Sequence, residues 1–451
     1  MTPTTELLAR FVTSTSVDAL PAVTLERASM SIASTIASAA MGHDIESSRI
    51  IRDIEIDNGG KAQSSVWFES ARLPAAHAAR INAVASDAAA SDDSDLRSIA
   101  HIGTVVSSSS VAMGEALGRT GREVLHAMVL GYEVAGRVDE ALTPIRGQRG
   151  FHGCISTIFG GAVAAGTLLR LNTQQMTYAI ATAATSIGGI YIAANTSWAR
   201  EYHAGLSAML GINAALAASR GFITEPVVLD GPKGFFALFG GQALEDVTRD
   251  FGQSWDIATD MAIKLMPGAH PYHAIAEAAI DAATEGNVNP ADVAQIMISA
   301  AQHSNWHGPT HPTDLIGVAH SIVYFVAACV ADRRFSWEHV TQEKINDPVI
   351  RGLLDKVVFD PNPTPLPDRF PHRHGGTVII TMKNGQKFSN TCKAPRGSGP
   401  RGVEWADVDA KYRHLLPLSG LPGDRIEESL HTIHGLADLP SIATLTSQLR
   451  K

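Results

Sequence analysis

Between Arg149 and Arg170 the chain reads RGFHGCISTIFGGAVAAGTLLR, and after His152 it carries no charge until Arg170. Its side chains are mostly small, and each interior glycine costs a helix about 1 kcal/mol. Such a helix persists only where neighbouring helices press against its backbone on all sides. The stretch is therefore predicted to be the innermost helix of a large helical domain. Arg146, Arg149 and His152 gather at its start, where free N–H groups and the positive end of the dipole would point. Such an opening suits a carboxylate. It equally suits a core helix with a solvated basic entrance.

With 451 residues the chain exceeds one comfortable core, so two domains are expected. Its hydrophobic content of 45% and aromatic content of 6% describe a globular chain rich in small residues and inclined to helix. A net charge of −9 argues against a nucleic-acid partner, so an anionic ligand must be held by a local basic cluster. Cys154, Cys329 and Cys392 are far apart and odd in number, which indicates neither a disulfide framework nor a zinc or iron–sulfur ligand set. No metal and no cofactor are expected, and a reducing cytoplasm fits. The opening MTPTTELLARF lacks the apolar core of a signal peptide. Leu171 to Ala199 is uncharged, but Asn172, Gln174, Gln175, Thr182 and Asn195 fall within it and Gly188–Gly189 interrupts it. It reads as a broken buried helix rather than a membrane span.

Helical spacing recurs through residues 1–56, 74–90 and 98–118. Thr120 and Glu123 form a capping-box pair opening a helix that runs to about Leu142. Further helices are predicted over 173–187 and 204–219. Near Asp260 the character changes. Residues 272–285, 314–330 and 337–354 read as helices, whereas 292–301, 356–359 and two segments flanking Asn384-Gly385 read as strands, the last pair as a hairpin. From Val403 onward helices return. The expected fold is mainly α: a large all-helical domain, 1–262 with 403–451, and an inserted α+β lid, 263–402, with the crossing near Arg396–Gly402.

Several ordered segments carry a family resemblance. They are Asn82 to Asp93, His101-Ile102-Gly103, Gly150-Phe151-His152, Arg200 to Gly205, Lys264 to His273, and Ser321 to Tyr324. In order and spacing they resemble the signatures of the MmgE/PrpD family, which includes 2-methylcitrate dehydratase, cis-aconitate decarboxylase and iminodisuccinate epimerase. The resemblance covers nearly the whole chain and implies the same helical domain with an α+β lid, and a homodimer. Three positions depart from the dehydratase and decarboxylase pattern. Asp87 stands where those members have His, Ala90 where they have Asp, and Arg200 where they have Lys.

The resemblance also implies the chemistry: a small polycarboxylate substrate and proton removal from the carbon beside a carboxylate. That step needs a base near the working pH and fixed positive charge over the oxygens. His101, His152, Lys264 and Tyr324 are the candidate proton carriers, with His101 and Lys264 first. Arg149, Arg200, His270 and His273 are candidates for binding carboxylates, Arg200 as a bidentate clamp because arginine stays protonated. Asp92 and Asp93 would orient a histidine. His203 reads as structural or solvated. The departures point first to a cofactor-independent epimerase inverting a carbon alpha to a carboxylate in an amino-polycarboxylate such as iminodisuccinate. The alternatives are a hydro-lyase resembling 2-methylcitrate dehydratase, a cis-aconitate-decarboxylase-like lyase, or a polycarboxylate-binding protein without turnover.

Overall fold

The computed structural model describes residues 2–186, 188–241, 244–301, 308–364, 366, 374–398 and 401–451. Ile187, at the end of one predicted helix, and Gly399 and Pro400, in the predicted crossing, lie outside the described residues. The fold is mainly α and divides into two compact units, Met1–Ile263 with Glu404–Lys451, and Lys264–Val403. Among the described residues no helix is long and apolar enough to cross a membrane.

In the first unit the helix Cys154–Leu168 is buried along its length except at Thr167. The helices Ile102–Leu117, Gly121–Leu142 and Ala199–Ser219 pack around it. Its glycines permit the close approach. A Cβ on Gly160 would lie 3.0 Å from the carbonyl oxygen of Gly131 on the neighbouring helix, and one on Gly131 would lie 2.7 Å from the Gly160 oxygen. Backbone contact of this kind offsets the propensity cost through dense packing. The helix begins at Cys154 rather than Arg149. Upstream, Ile145–Gln148 closes a helical turn of its own, and Phe151 then bridges to Ile190. The Thr120–Glu123 capping box forms in both directions, as the sequence predicts. This unit is not purely helical. Ser64–Ser65 pairs with Arg72–Leu73, and Ser94–Asp95 with Met261–Ala262, both antiparallel.

In the second unit four strands lie in the order Val357–Phe359, Val293–Ser299, Gly376–Met382, Lys387–Cys392. The first pair is parallel and the others antiparallel. Along Gly376–Met382 burial alternates, which sets one face against the helix His273–Glu285. The hairpin turns at Asn384-Gly385, with Gly385 at φ 86. Two predicted helices are broken. Residues 337–354 divide into Trp337–His339, Gln342–Ile345 and Pro348–Leu354. The side chains of Thr341 and Asp347 cap the later pieces, and Pro348 has no N–H to continue a helix. Likewise Ser321 caps Ile322–Asp332, so His320 and Tyr324 do not share a helix.

Candidate active site

The helix Ala75–Ala88 ends beside a buried loop, and Ile102–Leu117 begins directly after His101. Asp87, Asp92 and Asp93 are all buried between them. His101 Nδ1 lies 2.6 Å from Asp92 Oδ2 and 2.8 Å from Asp87 Oδ1. Thr104 Oγ1 donates to the same Asp92 oxygen at 3.0 Å. Carboxylates on Nδ1 keep that nitrogen protonated and fix the ring, so Nε2 is the atom through which His101 can exchange a proton.

Asp93 points the other way. Ser31 Oγ donates to its Oδ2 at 2.5 Å. Desolvation, reinforced by the charge of Asp92, pushes the Asp93 carboxyl up to about 6, against the pull of Ser31 and Lys411. A Cβ on residue 103 would fall 2.0 Å from Asp93 Oδ1, which explains why glycine follows two places after His101. Beneath this loop Lys411, buried and supplied by the returning helix Trp405–Leu415, donates to Ser34 Oγ at 2.8 Å and to the Ser91 carbonyl. The motifs gave no signal for Ser31, Thr104 or Lys411. Their partners are between 12 and 377 positions away in sequence.

The expected cationic helix opening is largely neutralised. Arg146 is buried and bidentate on Asp139, at 2.8 and 2.9 Å, with a third bond to the Ser98 carbonyl. Arg149 is exposed and donates to the carbonyls of Ala237 and Leu238, so it is a loop clamp and not a ligand group of this cluster. Arg200 is also committed. Its Nε meets Asp87 Oδ2 at 2.9 Å, and its Nη2 donates to the Asp87 carbonyl at 2.7 Å. The expected carboxylate clamp therefore already grips a carboxylate of its own chain. Two of the three departures, Asp87 and Arg200, are partners of one another.

His152 is half-buried, and its ring lies 5.5 Å from that of His203. Desolvation, followed by the positive neighbours His101 and Arg146, holds its pKa well below the ordinary histidine range. At neutral pH the His152 ring is uncharged and can accept a proton but not supply one.

In the second unit Lys264, His270 and His273 are buried, and the two imidazoles lie 4.6 Å apart. Tyr324 does not fit a proton carrier. It is buried, its hydroxyl donates to the His339 carbonyl at 2.8 Å, and burial raises its pKa. A phenol so engaged ties two segments of this unit together.

Among the described residues three groups of side chains come close enough to share a cation: Asp87, Asp92 and His101; Asp95, Asp256 and Asp260; and His152, Cys154 and His203. Arg200 already neutralises the first, and Arg97, 2.7 Å from Asp260 Oδ2, opposes a second cation in the next. The third has Arg146 and His101 as positive neighbours of His152.

Comparison with known proteins bears out the resemblance. The MmgE/PrpD N-terminal domain matches residues 6–246 and the MmgE/PrpD C-terminal domain matches residues 267–431. Human cis-aconitate decarboxylase is 26% identical over 94% of this chain and 90% of its own length. The mouse protein of the same name is 26% identical over 86% of this chain and 81% of its own. Cis-aconitate decarboxylase of Aspergillus terreus is 24% identical over 96% of this chain and 93% of its own. These names back the lyase alternative over the epimerase favoured by the departures.

Proposed function

The chain belongs to the MmgE/PrpD family, and from that premise we propose that it is a cofactor-independent lyase acting on a polycarboxylate at the carbon beside a carboxylate. Cis-aconitate, the acid in the relatives' names, is the first substrate to test. The observation that carries the reading is the grip of Asp92 and Asp87 on His101 Nδ1, which presents Nε2 as an oriented acid or base.

Decarboxylation breaks a C–C bond, releases CO2 and leaves an electron pair on the carbon that carried it. In cis-aconitate the pair left on the methylene carbon spreads through the neighbouring C=C bond toward a remaining carboxylate, and one end of that three-carbon unit then takes one proton. His101 is assigned the delivery of this proton, and Asp92 and Asp87 the stabilisation of the imidazolium before transfer. His152, held neutral and close enough to feel the charge of His101, keeps the proton-accepting side of the role that the resemblance gives it. Lys264, as a proton carrier, and His270 and His273, as carboxylate-binding groups, keep the roles that the resemblance gives them. A cytoplasmic homodimer belongs to the same proposal.

Proton NMR of the protein with cis-aconitate in deuterated water tests it. Released CO2 with one deuterium on a carbon of the three-carbon unit that carried the double bond is the expected result, and an unchanged substrate overturns the choice of acid. One observation favours a second reading: the Asp87–Arg200 pair replaces the residues that the dehydratase and decarboxylase members have at those positions. A single iminodisuccinate stereoisomer that inverts and gains deuterium without loss of CO2 would put the epimerase in place of the lyase.

A further inference from the structure

The loop that holds His101 leaves the helix Ala75–Ala88 through Ala90, whose φ of 51 lies in the left-handed region that a side chain disfavours. Such a turn persists only where its surroundings hold it. One tie is local: Ala90 N–H donates to the Asp87 carbonyl at 2.9 Å. Another comes from far away. Lys411, on the returning helix Trp405–Leu415 and 2% exposed, donates from Nζ to the Ser91 carbonyl and, at 2.8 Å, to Ser34 Oγ. Ser34 sits one turn beyond Ser31 on the helix Ala22–Gly42, and Ser31 grips Asp93. The residues on either side of Asp92 are therefore both held from beneath, Ser91 by the ammonium and Asp93 by the hydroxyl.

Stability alone is a weak reason for an ammonium in this place. A buried charge is costly to desolvate, and an apolar side chain of similar length often serves a fold as well. The helix Trp405–Leu415 has an apolar anchorage of its own in Val408, Tyr412 and Leu415, all fully buried. What Lys411 adds is a directed bond to the backbone next to Asp92, whose Oδ2 lies 2.6 Å from His101 Nδ1. Its charge reaches the loop as well, and draws the Asp93 carboxyl down against desolvation.

We propose that Lys411 is a positioning residue for His101: by holding the Ser91 carbonyl it sets Asp92 against Nδ1 and so keeps Nε2 free to exchange a proton. The C-terminal return thereby serves the reaction as well as the fold. The effect on turnover rests on the lyase reading. The state of the ring does not, and it is read without substrate.

Ring-nitrogen NMR of protein labelled in its histidines tests the assignment, with H101Q identifying the His101 signals. In wild type the neutral ring should carry its proton on Nδ1. In K411M the hold of Asp92 loosens, and the Nε2–H form, which an unheld imidazole prefers, should become the major one while circular dichroism stays native. S429A is the structural control, because it removes the hydroxyl that meets Tyr412 Oη at 2.8 Å, next to Lys411 on the same helix. Its His101 signals should match wild type. S34A removes one of the oxygens that Lys411 meets, should shift the tautomer part of the way, and stands in for K411M if that variant does not fold. In turnover K411M should lose about 10–100-fold in kcat, with KM within about twofold of wild type. A His101 ring unchanged in folded K411M, or in S34A where K411M does not fold, overturns the proposal, as does an equal shift in S429A. A tautomer shift in K411M where wild type turns over no cis-aconitate upholds the positioning role and removes the lyase.

Discussion

Around His101, Asp92 is met by the imidazole and Thr104, Asp87 by the imidazole and Arg200, and Asp93 by Ser31. Around Cys154, in the same unit, two buried imidazole nitrogens make no hydrogen bond among the described residues. The first cluster pairs Asp87 and Asp92 with His101, Thr104 and Arg200 and so fixes one ring, and leaves Asp93 Oδ1 without a hydrogen bond among the described residues. The second leaves lone pairs over. A ring held by two carboxylates is preorganised for acid–base work, whereas buried nitrogens without partners call for an explanation of their own. Removing a partner should therefore cost most in the first cluster.

The largest effect is expected from H101Q. If the fixed ring carries the proton, turnover of the proposed polycarboxylate substrate should fall about 10²–10⁴-fold, with unchanged circular dichroism. Turnover within a few-fold of wild type would deny His101 that role and reduce the cluster to a structural network.

Next is D87A, which leaves the largely buried Arg200 guanidinium, its side chain 12% exposed, without that anion. Breaking such a pair from one side costs about 3–5 kcal/mol, read as a lower midpoint in urea. Asp87→Ala combined with Arg200→Met should cost less than the sum of the two single changes, because neither charge is then stranded. A coupling of about 1–3 kcal/mol is expected. Strictly additive losses would show that the two departures from the lyase pattern are independent changes and not one exchanged pair.

Asp93 gives a smaller, pH-dependent effect. Its carboxyl is pushed up to about 6 in the fold, while an unfolded chain releases the proton near 3.8. Between those values the folded state holds a proton that the unfolded state has lost, so stability falls as pH rises. The contribution is level below about 4 and above about 6, and the drop between them is at most about 3 kcal/mol. The stability of wild type relative to D93N should follow that curve in urea titrations from pH 4 to 7. A flat difference would mean that Asp93 is ionised throughout.

What the sequence made legible was local. The Thr120–Glu123 capping box and the Asn384-Gly385 hairpin are decided within a few residues, and both form. His101 and Asp92 are nine positions apart, in two adjacent motifs. The ties that change the chemistry are long. Arg200 finds Asp87 113 positions away, and Lys411 finds Ser34 377 positions away. An arginine read from its motif therefore looks like a ligand clamp until its partner is seen. His203, which spacing alone could not join to the His152–Cys154 pair, arrives only because two helices pack closely. The helix breaks at Ser321, Thr341 and Asp347 went unread because apolar periodicity continues across them while their side chains cap new starts.

The smallest effect concerns Tyr324, where motif and structure disagree outright. As a proton carrier it would be as costly to remove as His101. Its hydroxyl instead donates to the His339 carbonyl inside the second unit. Y324F removes that donor and leaves a buried carbonyl unsatisfied, a loss of about 1–3 kcal/mol in stability. The ring itself stays packed near Phe335. Turnover should remain within about threefold of wild type, a barrier change under about 1 kcal/mol. A hundredfold loss in kcat at unchanged stability would return the phenol to the chemistry and would require its hydroxyl to leave His339 during the reaction.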